Sequence, residues 1–217
     1  MKEVPKNVDR RSFLKNTAAA GIGLAAAPLL GFSPSTESRE SLYIIGPRKG
    51  YSPQVGTLLS TLTMMQEWMI GTFKKLSVEQ LDYLLDDDAN SIGAMAMHLA
   101  ATEKFYQLHT FDNIAWGAWS EEVNAKWSVA SSLGKDARQQ IKGNPASYYA
   151  DALNEVREDT KRGFAKRDDD WLMWVDEDWF WGPTNNYCKW FHVCEHISNH
   201  NGQMKLIAKR FEKQGDK

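Results

Sequence analysis

Over most of this chain the apolar residues recur in steps of three and four, a period that suits helices and little else. After Ser52-Pro53, a cap residue followed by a first-turn proline, they fall at Val55, Leu58, Leu62, Met65, Met69 and Phe73, one face of a helix. Ser77-x-x-Gln80 reads as a capping box for a short helix through Leu81 and Leu84. Asn90 or Ser91 caps a second long helix, with Ile92, Met95, Leu99, Thr102 and Tyr106 facing inward. Asn144-Pro145 opens a third, with Tyr149, Leu153, Val156 and Phe164 on one side and Asp151, Glu158 and Arg162 on the other. Asn185 or Asn186 starts a fourth that runs to about Gln214; Gly215 follows as a stop, and Lys209, Arg210 and Lys213 suit the negative end of its dipole. The intervals 112–143 and 166–184 are less regular and hold most of the tryptophans. No repeated alternating segments would build a sheet. The expected fold class is all-α: four long amphipathic helices sharing one core as a four-helix bundle over residues 53–214.

Composition narrows the function. A chain of 217 residues with 42% hydrophobic content is one domain, or one domain plus an extension. Lys and Arg number 26 against 28 Asp and Glu, a net charge of -2, so no general basic footprint for nucleic acid is present. Two cysteines cannot form a disulfide scaffold. Cys188 and Cys194 would lie about 9 Å apart along one helix, beyond the roughly 7 Å that a bridge spans, so they are expected to stay unpaired.

The first 36 residues read as an export signal. Lys2, Lys6, Arg10, Arg11 and Lys15 precede an uncharged run from Thr17 to Phe32, shorter than the roughly 20 residues that cross a bilayer as a helix. Arg10-Arg11-Ser12-Phe13-Leu14-Lys15 resembles a twin-arginine signal. That implies the twin-arginine translocation machinery as a partner, and export across the cytoplasmic membrane to the periplasm or cell envelope. Ala25-Ala26-Ala27 is a small-residue cleavage site with Pro28 directly after it, so an uncleaved membrane anchor is the alternative. Residues 37–52, with Gly46-Pro47-Arg48-Lys49-Gly50, read as a linker.

Chemistry is carried by the histidines. Only five occur, and His192, His196 and His200 follow one another at intervals of four on the last helix. Imidazoles one turn apart lie on the same face and can share one metal ion at about 2.0–2.1 Å. His192 and His200 stand about 12 Å apart along the axis, so the chelating pair is either the first two or the last two. Val193, Met204, Ile207 and Phe211 share this face and direct the rings into the core. His98, among Met95, Leu99, Thr102 and Phe105 on the second long helix, is the third expected donor. Three neutral imidazoles leave one position open, as catalytic zinc sites do. His192 is either a packed, hydrogen-bonded histidine or a proton shuttle beside the ion. Gln203 either orients a ligand imidazole or packs. His109 is an end-of-helix histidine with no assigned role. The segment from Trp171 to Trp181 either covers the end of the core or walls a pocket.

His192-Val193-Cys194-Glu195-His196 also fits the H-x-x-E-H pattern of inverted zinc peptidases. Those enzymes take a further acidic ligand well downstream, whereas Glu212 is the sole Glu after His196, and the chain lacks their mixed helix–sheet pattern. The Glu-x-x-His pattern of di-iron bundles is absent, as are the Walker loop and the dinucleotide-binding fingerprint.

His98-Leu99-Ala100-Ala101-Thr102-Glu103, followed about a hundred residues later by His196-Ile197-Ser198-Asn199-His200-Asn201-Gly202-Gln203, resembles the DinB/YfiT-like proteins over roughly residues 50–214. The resemblance implies a four-helix bundle of up-down-down-up topology, with a divalent metal on His98, His196 and His200. Zn²⁺ is the expected ion, with Ni²⁺ or another transition metal as the alternative. Asn201 departs from the pattern, since relatives often have Arg just before Gly-Gln. Gly202 is read as a close helix-packing residue. Related proteins include thiol-dependent transferases and an isomerase that use low-molecular-weight thiols. An exported location favours instead a metal-dependent hydrolase acting on a small molecule through a metal-activated water. A thiol S-transferase and a non-catalytic metal- or ligand-binding envelope protein are the alternatives, with a homodimer left open.

Overall fold

A computed structural model describes residues 41–215. The export signal read over residues 1–36, with Arg10 and Arg11, lies outside the described residues, as does the start of the linker. Eight helices are present among the described residues: α1 Pro53–Phe73, α2 Val78–Asp82, α3 Ile92–Thr110, α4 Glu121–Ser132, α5 Gly134–Gln140, α6 Ala146–Phe164, α7 Asp169–Met173 and α8 Asn186–Gly215. Strands β1 Val175–Asp176 and β2 Thr184–Asn185 form a short antiparallel pair ahead of α8, with Val175 opposite Asn185. The protein is mostly helical, and no helix among the described residues is long and apolar enough to cross a membrane.

Local chemistry sets the helix starts. Ser77 and Gln80 form a reciprocal capping box at α2, the Ser77 hydroxyl accepting from Gln80 N–H and the Gln80 side chain from Ser77 N–H. At α3 the cap is Ser91, whose Oγ accepts from Ala94 N–H at 3.2 Å. Asn90 serves elsewhere, its Oδ1 accepting from Gly134 N–H at 2.9 Å. Asn185 Oδ1 accepts from Cys188 N–H at 2.8 Å in the first turn of α8. Ser52 does not cap α1 with its own side chain. Asp169, from α7, does it instead, accepting from Gln54 N–H at 2.9 Å, Val55 N–H at 3.2 Å and the Ser52 hydroxyl at 2.6 Å. A carboxylate at a helix N-terminus also meets the positive end of the dipole.

Helix α3 packs against α6, α8 and α4, and α1 packs against α8 and α6. Each of the four long helices therefore buries its apolar stripe against two others of the set. Glycine permits the closest approaches. A Cβ on Gly93 of α3 would stand 2.5 Å from Tyr149 Oη, and one on Gly163 of α6 would stand 2.2 Å from the Phe111 ring. At one end of the core Trp190 is fully buried, stacked on Phe111 at 5.2 Å and edge-on to Phe164 at 4.7 Å, with its indole N–H donated to Thr110 Oγ1 at 3.1 Å. A buried ion pair ties α3 to α6: Glu103 accepts from Arg157 Nε at 2.7 Å and Nη2 at 2.8 Å, and from the Thr160 hydroxyl at 2.6 Å.

The irregular intervals hold more order than their sequence suggests. Helices α4 and α5 occupy 121–140, separated by Leu133 and Gly134 at φ +51° and +70°. The described part of the expected linker folds back, with Gly46 N–H donated to Ser60 Oγ on α1 at 3.2 Å.

Candidate metal centre

His98 projects from α3 and His196 and His200 from successive turns of α8, and the packing of α3 on α8 brings the three rings together. Centroids are 5.0 Å apart for His98 and His196, 5.1 Å for His98 and His200, and 4.7 Å for His196 and His200. The Nε2 atom of His196 is 2.9 Å from that of His98 and 3.0 Å from that of His200. One nitrogen from each ring lies within 4.8 Å of the others.

Hydrogen bonds on the far side of two rings determine what these nitrogens offer. His98 Nδ1 faces the carbonyl of Ala130, on α4, at 3.1 Å. A carbonyl can only accept, so Nδ1 carries the proton and Nε2 presents a lone pair. His200 Nδ1 donates in the same way to Gln203 Oε1 at 3.1 Å, and Gln203 is held in turn by Asn199 at 3.2 Å. Of the two sequence readings of Gln203, the one in which it orients an imidazole matches this contact. His196 has one ring proton at most when neutral and cannot bridge both neighbours. At least one pair of lone pairs therefore meets at about 3 Å with no hydrogen between them. Burial, the largest effect on each ring, together with mutual repulsion if charged, drives His98 down to about 4 and His196 down to about 3. His200 is also lowered, chiefly by burial. At neutral pH the site is thus three uncharged imidazoles with converging lone pairs, the donor set that a borderline divalent ion takes. Two nitrogens on a tetrahedral zinc-sized ion stand about 3.3 Å apart. The two spacings to His196 Nε2 need to open by only a few tenths of an ångström to accept one.

No protein-family model matches this chain. No curated protein matches it either.

His192 stands outside the triad, its ring 5.2 Å from that of His196. Its Nδ1 donates to Glu195 Oε1 at 2.7 Å. His192, Glu195 and His196 also bring one ligand atom each within 4.8 Å, but the Glu195 carboxylate is already engaged by His192. A cavity of about 400 Å³ opens beside His98, His192 and His196, and most of its remaining lining is aromatic. The tryptophan-rich segment divides between its two expected roles. Leu172 and Trp179 are buried, whereas Phe180 and Trp181 line this cavity.

Gly202 differs from expectation. It is exposed, and a Cβ there would meet nothing within 4 Å, so no helix packs against it. Its neighbour Asn201 is the buried residue, accepting from the Thr72 hydroxyl at 2.7 Å and so joining α8 to α1. Cys188 is exposed, Cys194 is buried, and neither is bridged.

One cluster was invisible in the sequence. Lys189, fully buried, donates to Asp176 Oδ2 at 2.6 Å and to His109 Nε2 at 3.0 Å, and its ammonium lies 4.3 Å from the Trp179 ring centroid. His109 Nδ1 donates to the Ile114 carbonyl at 3.0 Å. His109 therefore has a structural task, locking the 111–115 turn and the β1 carboxylate to the start of α8. Nothing in the local pattern of residues 109, 176 and 189 announces this contact.

Proposed function

We propose that the chain is a DinB/YfiT-like four-helix bundle of up-down-down-up topology, made for export by a twin-arginine signal. In this reading it holds one divalent metal, Zn²⁺ first and Ni²⁺ or another transition ion second, on His98, His196 and His200. It acts as a metal-dependent hydrolase on a small molecule. The observation that carries this reading is the convergence of three Nε2 atoms, two of them fixed as lone-pair donors by Ala130 and Gln203. The mutual packing of α1, α3, α6 and α8 supports the bundle. The cavity beside three of the four clustered histidines supports an open rather than a closed structural site.

When bound, the ion would supply Lewis acidity and activate a nucleophile at neutral pH. The chain supplies the rest. Ala130 and Gln203 hold two ligand rings in one tautomer and one orientation, the arrangement that outer partners of metal-bound histidines provide. His192, steadied by Glu195, lines the cavity and is placed to exchange a proton with a nucleophile there.

Elemental analysis of the purified protein tests the reading. One equivalent of transition metal per chain, lost in His98→Ala, His196→Ala and His200→Ala, is the expected result. Metal-free wild type, with the three variants unchanged in added-metal affinity and stability, would overturn it. An ester, amide and thiol-transfer screen of the loaded protein then separates enzyme from binder: turnover that vanishes in a folded His98→Ala supports hydrolysis or transfer, and stoichiometric metal without turnover supports a non-catalytic envelope protein. For export, Arg10→Lys/Arg11→Lys is expected to retain the protein in the cytoplasm; unchanged export counts against the signal.

A further inference from the structure

Besides the histidines, the cavity is lined mainly by Phe105, Tyr106, Trp116, Trp119, Phe180 and Trp181, contributed by three separate stretches of chain. Phe105 and Trp119 are stacked at 4.9 Å with an interplanar angle of 2°, and Trp181 meets His192 edge to face at 5.0 Å. Trp116, Phe180 and Trp181 are 40%, 62% and 48% exposed, so these rings do not serve as core. They adjoin one another on the rim, with centroids 6.1 Å apart for Trp116 and Phe180 and 5.2 Å for Phe180 and Trp181. Large rings gathered at the mouth of a cavity mark a surface that a ligand covers.

Charge narrows the ligand. No Lys, Arg, Asp or Glu lines this cavity. An anionic body would lose its hydration with no cation to compensate. A cationic body would find ring faces but no carboxylate, and would lie beside the centre proposed to hold a dication. The polar capacity of the cavity is concentrated at its histidine end. Its size, about 400 Å³, is near the lower limit of small-molecule pockets and fits a compound of one or two rings.

Resting on the metal reading above, we propose that the substrate is a small molecule with one metal-coordinating head and an uncharged aromatic or similarly flat apolar body. The head is directed to His98, His196 and His200, and the body lies against Trp116, Phe180 and Trp181. The rings set specificity for the body and take no part in holding the head.

Three chelating probes test this on the metal-loaded full chain by titration calorimetry: acetohydroxamate, benzohydroxamate and 4-carboxybenzohydroxamate. Benzohydroxamate is expected to bind about tenfold tighter than acetohydroxamate, as burial of one ring on an open wall would give. The carboxylated probe should lose most of that gain. In Phe180→Ala/Trp181→Ala the advantage of benzohydroxamate should vanish while acetohydroxamate binds as before. Equal affinities for the first two probes, or a carboxylated probe as tight as benzohydroxamate, would overturn the proposal while leaving the metal reading intact. Should elemental analysis find a protein that takes up no metal, neutral benzamide followed by tryptophan fluorescence becomes the probe. Saturable quenching lost in the double variant then upholds the neutral-ring preference without the metal, and absence of quenching rejects both.

Discussion

Replacing Glu103 with alanine breaks the buried ion pair between α3 and α6. Glu103 is 1% exposed and Arg157 is 3% exposed. The carboxylate receives two hydrogen bonds from the guanidinium and a third from Thr160, while Arg157 Nη1 already lacks a partner. Glu103→Ala leaves a buried cation with no counter-charge, a change that costs about 3–5 kcal/mol. For a domain of this size each kcal/mol moves the melting temperature by about 2–4 °C, so a fall of about 6–20 °C is expected. Against a total stability of about 5–15 kcal/mol, that is enough to populate unfolded chain near physiological temperature. Far-UV circular dichroism of purified wild type and variant reads the shift directly. The double variant Glu103→Leu/Arg157→Met, which removes both charges, should recover most of it. A Glu103→Ala protein melting within about 2 °C of wild type would refute the reasoning, because the expected loss could not be smaller than about 6 °C.

Acid sensitivity should follow from the triad. His98 and His196, held at about 4 and about 3, stay unprotonated in the folded chain below the ordinary histidine value of 6.5, while the unfolded chain takes up protons there. Stability of the metal-free protein should therefore fall as pH drops from 6.5 towards 4, by about 1–3 kcal/mol at pH 5.5. Melting curves of wild type and His98→Gln/His196→Gln check this; parallel profiles for the two would contradict it. Gln203→Ala removes the acceptor of His200 Nδ1 and should weaken metal affinity by about 10–100-fold with little change in fold, as measured by competition with a chromophoric chelator. Asp169→Ala uncaps α1 from a distance and should cost about 1–2 kcal/mol by urea denaturation.

The long helices and the metal-binding candidates were legible because their signals are local. A stripe at steps of three and four survives any tertiary context, as α1 from Val55 to Phe73 illustrates. Histidines one turn apart must share a face. What was not legible depends on partners far apart in the chain. The acceptor that fixes His98 is a backbone carbonyl on α4, 32 residues away, and no side-chain pattern encodes it. Asp169 caps α1 across more than a hundred residues. Trp116 and Phe180 meet only because the 111–120 and 176–183 segments return to the same end of α3 and α8. Helix α4 escaped notice because only Trp127 and Ala130 on it are buried, too few for a clear stripe. Gly202 makes no close helix contact because the face of α8 that carries it meets solvent, which a single glycine in the sequence does not reveal.

Helix α8 is one uninterrupted rod of 30 residues, about 45 Å long. It is gripped at Lys189 and Trp190 near its start and at Asn201 beyond its midpoint. Turning it on its own axis would break all three grips at once, so the imidazole tripod is set before any guest arrives. Little ordering entropy would be left to spend on capture at the proposed site, beyond the few tenths of an ångström by which the nitrogens must part. A large hard cation such as Ca²⁺, which wants six to eight oxygens at about 2.3–2.6 Å, finds neither the atoms nor the room. Selectivity of the proposed metal site would then be a property of how firmly a single shaft is seated.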